Sequence, residues 1–83
     1  MTTITYVSQS AKSVSVTYTD VPADADVVFV NQTSGTKTPA ASATITGNGS
    51  ADIPVPDLKS GQYHLLVQKS GQPLAQTVNF YLN

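Results

Sequence analysis

With 83 residues and no cysteine, the chain is long enough for one small domain and has no disulfide, no thiol nucleophile and no thiolate ligand. Only 11 % of its residues are charged, four Lys and five Asp with no Arg or Glu, and the net charge is −1. That balance excludes a nucleic-acid binder built on phosphate-pairing cations, and no apolar run approaches the roughly 18 to 20 residues of a membrane span.

A domain this small buries only about 60–65 % of the surface its unfolded chain exposes, so its core, or an oligomer, has to carry the stability. Solubility rests on Ser, Thr, Asn and Gln, a bias that favours an extracellular, surface or virion setting. The stretch MTTITYVSQSAKSVSV has no basic segment followed by a continuous apolar one, so no signal peptide is expected.

Alternation of apolar and polar residues dominates the chain. Residues 4–7 (ITYV) predict a first strand. Residues 13–19 (SVSVTYT) predict a second, with Val14, Val16 and Tyr18 on one face. A loop with Pro22 and three Asp follows, and then residues 27–30 (VVFV), apolar on both faces as in a central strand. Residues 31–43 read as connection, with one short edge strand at 36–38 and another at 44–46. Residues 47–50 (GNGS) predict a turn. Residues 51–55 predict a strand with Ile53 and Val55 on one side and Pro54 marking an edge or an end. Residues 63–69 alternate, Tyr63, Leu65 and Val67 against His64, Leu66 and Gln68. Residues 70–73 (SGQP) predict a turn, and residues 74–83 a last strand with Val78, Phe80 and Leu82 together. There is no helix-period stretch and no internal repeat.

About seven short strands separated by turn signals imply an all-β antiparallel sandwich over residues 1–83 as a single domain, with a small Greek-key barrel as the alternative. The stretch PDLKSGQYHLLVQ places Leu58, Gly61 and Tyr63 just before an alternating strand. That spacing resembles the tyrosine corner of immunoglobulin-like and fibronectin type III-like sandwiches. The resemblance implies that the Tyr63 hydroxyl returns to a backbone group just upstream while its ring stays buried, with Gly61 allowing the tight path and Leu58 plugging the core. It is good over residues 50–83 and rests on strand pattern alone before that. Trp and the Cys pair of antibody domains are missing, which leaves the broad immunoglobulin-like class. The motif carries architecture, not ligand.

Candidate chemistry is sparse. His64 is the only imidazole, and no G-x-S-x-G elbow accompanies it, so the chain is read as not an enzyme and His64 as an outward strand residue. Asp20, Asp24 and Asp26 share a loop, and Asp52, after the expected GNGS turn, is placed to approach them. Loop oxygens of this kind suit Ca²⁺, but the spacing fits no EF-hand and ordinary turn-forming Asp residues explain it, so no metal and no cofactor is expected. Lys12 and Asn79 resemble the partners of the self-formed isopeptide bond of pilin-type modules, which also needs a buried acid; Asp52 is the only candidate. Thr17/Thr19, Thr36/Thr38 and Thr44/Thr46 lack the repeat spacing of an ice-binding face.

Exposed aromatics weigh more. Tyr81 should face away from Phe80, and Tyr6 outward likewise, as an interface or a sugar platform. The expected function is a non-catalytic structural or protein-interaction module whose partner is another protein or itself; the alternative is a small carbohydrate-binding module with a glycan partner. The expected interface is Tyr81 and Tyr6, the terminal strand also being an edge open to strand addition. The expected ligand loops present Asp20, Asp24, Asp26, Asn48, Ser70 and Gln72.

Overall fold

The computed structural model describes residues 1–40 and 45–82. Among them lie eight strands: β1 (Thr3–Gln9), β2 (Ser13–Val21), β3 (Asp26–Asn31), β4 (Lys37–Pro39), β5 (Gly47–Pro54), β6 (Gly61–Lys69), β7 (Gln72–Gln76) and β8 (Phe80–Leu82). They form two antiparallel sheets, β1-β2-β5 and β4-β3-β6-β7, with β8 also on β6. The arrangement is an all-β sandwich and not a closed barrel.

β7 pairs with the second half of β6 and β8 with its first half, so the two act as one interrupted strand. The expected last strand therefore breaks at residues 77–79. Thr77 causes the break: it is buried, its N–H donates to the Leu65 carbonyl at 2.9 Å, and its Oγ1 accepts the Leu65 N–H at 3.0 Å and donates to the Val78 carbonyl at 2.9 Å. A hydroxyl thus stands where a ladder carbonyl would. Val78, expected beside Phe80 and Leu82 in the core, is 70 % exposed as a result.

The core lies between the sheets, where alternation delivers it: Ile4, Val14, Val16 and Ile53 from the first, and Val27, Phe29, Tyr63, Leu65, Val67, Phe80 and Leu82 from the second. β3 is apolar on both faces as expected. Its outward Val28 and Val30 join Leu66 in a separate buried cluster on the far side of the second sheet.

Two turn expectations are corrected. Residues 47–50 are not a turn but the first half of β5, with Gly49 opposite Tyr18. A Cβ at Gly49 would stand 3.1 Å from the Tyr18 hydroxyl, so the missing side chain makes room for the ring. The turn before β7 is Ser70-Gly71 alone, at φ 52° and 79°, and Gln72 and Pro73 are already in β7. Two residues at positive φ between paired Lys69 and Gln72 are the I′ geometry that suits strand twist. Of the short strand expected at 44–46, Thr44 lies outside the described residues; Ile45 is buried and Thr46 exposed, neither in a strand.

Candidate functional site

The expected ligand loops do gather at one pole. The end of β2, the start of β3, the β6–β7 turn and the start of β5 meet there, as the pairings Val21 to Gly47, Asp26 to Gln68 and Lys69 to Gln72 require. The carboxylates do not converge. Asp20, at φ 57°, donates its N–H to Asn48 Oδ1 at 2.7 Å and has the Met1 amino group 3.0 Å from its carboxylate. Asp24 lies 3.5 Å from the Lys69 ammonium, and Asp26 is exposed at the head of β3. Such exposed pairs contribute little energy. Among the described residues no three His, Asp or Glu side chains could share a metal ion. Asp52 does not approach this pole, because residues 47–50 extend as strand; it accepts from Ser15 Oγ at 2.5 Å in mid-sheet. Lys12, Asn79 and Asp52 are all exposed, which is not the buried trio an isopeptide bond needs.

The two expected interface tyrosines part company. Tyr6 turns inward, contrary to expectation: its ring stacks on Phe80 at a centroid distance of 5.2 Å and packs on the core. Its hydroxyl donates to Gln9 Oε1 at 2.7 Å, and Gln9 Nε2 donates to the Tyr81 carbonyl at 2.7 Å. This chain of contacts ties β1 of one sheet to β8 of the other. Tyr81 faces away from Phe80 as expected and is 54 % exposed, opposite Gln62. Leu74, on β7, and Val78, in the break before β8, are exposed along the same edge of the sheet.

That side adjoins the cluster of Val28, Val30 and Leu66, where Gln76 stands opposite Leu66 and His64 opposite Val30. His64 is half-buried, its Nδ1 hydrogen-bonded to Gln32 Oε1, and burial holds its pKa below the ordinary 6.5. The outer face of a two-layer sandwich has no second layer, yet Val28, Val30 and Leu66 are buried, so they are covered from within the chain. The cluster's sequence signal was the unbroken VVFV run, which reads equally as a central strand.

At the opposite pole the Tyr63 hydroxyl donates to the Lys59 carbonyl at 2.8 Å, four residues upstream, and the ring is buried. Leu58 packs on the core, and Gly61 sits at φ 154°, a backbone rarely adopted by other residues. Beside this segment a half-open cleft of about 590 Å³ separates it from the β3–β4 turn. Asn31, Thr33, Ser34, Thr38, Asp57 and Lys59 are among its lining. Sequence reasoning missed this cleft, because it took residues 31–43 mostly as connection. No protein-family model, no curated protein and no solved structure matches the chain.

Proposed function

We propose that the chain is a non-catalytic structural or protein-interaction module of the immunoglobulin-like kind, docking on another protein or on copies of itself through the β7–β8 side of the second sheet. The observation that carries the docking surface is the exposure of three large apolar side chains, Leu74, Val78 and Tyr81, along the one sheet edge that β7 and β8 form, with Tyr81 on its outer face opposite Gln62. Tyr is a frequent interface residue because one end is apolar and the other hydrogen-bonds. Two features support the immunoglobulin-like part: the Tyr63 to Lys59 bond, and the pairing of short β4 with β3 in the sheet of β6 and β7. The non-catalytic part rests on composition, with a single imidazole already bonded to Gln32 and no thiol.

A benzophenone amino acid at position 81 tests the reading, with the same probe at exposed Thr5 on the first sheet as control. Irradiation in the source cells and of the purified chain should give a discrete adduct from position 81 alone, reduced by Val78→Asp. Equal or no adducts at both positions, with a monomer by sedimentation at every concentration, would remove this surface from consideration.

A further inference from the structure

The cleft between the β3–β4 turn and residues 57–61 is a built concavity at the pole away from the expected ligand loops. We propose that it is a binding site for a neutral, hydroxyl-rich ligand, a mono- or disaccharide unit of a glycan.

Both walls are held by bonds of their own. On one side Asn31 Oδ1 accepts the N–H groups of Thr33 and Ser34 at 2.8 and 3.0 Å. The Asn31 N–H donates to the Thr36 carbonyl at 2.9 Å, and Gly35 N–H to the Asn31 carbonyl at 2.8 Å. On the other side the Tyr63 hydroxyl fixes the Lys59 carbonyl. A ligand therefore meets walls already ordered, which lowers the entropic cost of binding.

The lining decides the ligand class. Among the described residues Thr33 Oγ1, Thr38 Oγ1, Ser60 Oγ, the Asp57 carboxylate and the Lys59 ammonium have no protein partner. Hydroxyls donate and accept, the carboxylate only accepts and the ammonium only donates, so the set matches groups that do both, as sugar hydroxyls do. One Asp and one Lys cancel. A phosphate would want several cations and would meet Asp57, and a cationic ligand would meet Lys59. The lining is mixed, about half of its exposed surface being carbon, with Leu58 its one large aliphatic side chain; a sugar ring, which carries C–H faces as well as hydroxyls, matches such a surface better than a wholly apolar or a wholly charged ligand does. Without an exposed aromatic platform the affinity should be about millimolar.

The test is a titration of the ¹⁵N-labelled chain, followed by amide shifts, with a panel of methyl glycosides of common hexoses and N-acetylhexosamines, and with inorganic phosphate as a separate arm. At least one glycoside should move the amides of Thr33, Ser34, Ser60 and Gly61, saturating near about 10 mM, and phosphate should not. Asp57→Asn and Thr33→Ala, both at exposed positions, should each weaken that binding about three- to tenfold while the remaining spectrum stays that of the parent. Tyr81→Ala should leave it unchanged, which separates this site from the proposed docking surface. Absence of cleft shifts with every glycoside, binding unaffected by both variants, or a stronger response to phosphate would each overturn the assignment.

Discussion

Thr77→Val is the substitution most sharply determined by this structure. Valine keeps the β-branching and puts a methyl of similar size where the hydroxyl stood, so the change is one of hydrogen bonding rather than of shape. That hydroxyl accepts the N–H of Leu65, a residue with no exposed surface, and donates to the Val78 carbonyl. The Val78 carbonyl belongs to an exposed residue and can turn to water, so its loss should cost about 1 kcal/mol or less. The Leu65 N–H has no such recourse, and an orphaned buried donor costs about 1–3 kcal/mol. Together the loss should be about 3 kcal/mol, against a total stability of roughly 4–12 kcal/mol for a domain of this size. Thr77→Ser retains both bonds and loses one methyl, for about 1 kcal/mol. In urea, with a slope of about 1 kcal/mol per M for so small a domain, the valine variant's midpoint should fall about 3 M and the serine variant's about 1 M. Should valine prove no costlier than serine, the hydroxyl is not what bridges the break between β7 and β8.

Other expectations follow the same logic. Tyr63→Phe should cost about 1 kcal/mol in the same assay, since the ring packing survives and the exposed Lys59 can offer its carbonyl to water; an unchanged midpoint would discard the return bond. Ser70→Asn should stabilise by about 0.5 kcal/mol, because Asn tolerates positive φ better in an I′ turn, and a lowered midpoint would refute that turn geometry. His64 is held below 6.5 by burial, so the unfolded chain binds more protons than the native one just below that pH. Its contribution is therefore complete above 6.5 and declines as pH falls from there toward the lowered native value. Thermal melts at about pH 7.5 and 5.5 should show this as a small loss of stability that His64→Gln abolishes; a loss equal in the variant would assign it elsewhere.

How much was legible depends on whether a signal was local. Period-two alternation in residues 13–19 and 63–69 fixed the inward faces of β2 and β6, because side-chain direction is a property of the strand itself. The spacing of Leu58, Gly61 and Tyr63 was legible for the same reason: the bond spans four residues. What failed depended on a distant strand. Gly47 to Ser50 look like a turn in isolation and become strand because β2 offers a ladder on which Tyr18 lies over Gly49. Val78 follows the alternation of its own segment, but a hydroxyl from Thr77 intrudes into the ladder of β6 and shifts the phase. Tyr6 is the exception, a local signal misread: it lies two residues from buried Ile4 on β1 and so shares its inward face, where Phe80 stacks on it. The polar cleft was hidden because its two walls are some 20 to 30 residues apart in sequence and each, alone, is an ordinary polar loop.

The proposed docking side can be engaged in two ways, by backbone addition to the β7–β8 edge or by side chains on the adjoining face. The structure weighs against the first. An edge strand invites addition through unpaired N–H and C=O groups, but at β8 the Tyr81 carbonyl already accepts from Gln9, and Tyr6 holds Gln9 in place. Residues 77–79 interrupt the edge midway, and Pro73 removes one donor from β7. An added strand would have to displace Gln9 and bridge the break, whereas a partner resting on Leu74, Val78 and Tyr81 would do neither. Gln9→Ala separates the two routes. It frees the Tyr81 carbonyl and leaves the exposed apolar side chains alone, so cross-linking from position 81 should be unchanged if partners dock by side chains. A rise of several-fold in that adduct would mean that Gln9 guards the edge, and that strand addition is the route it holds back.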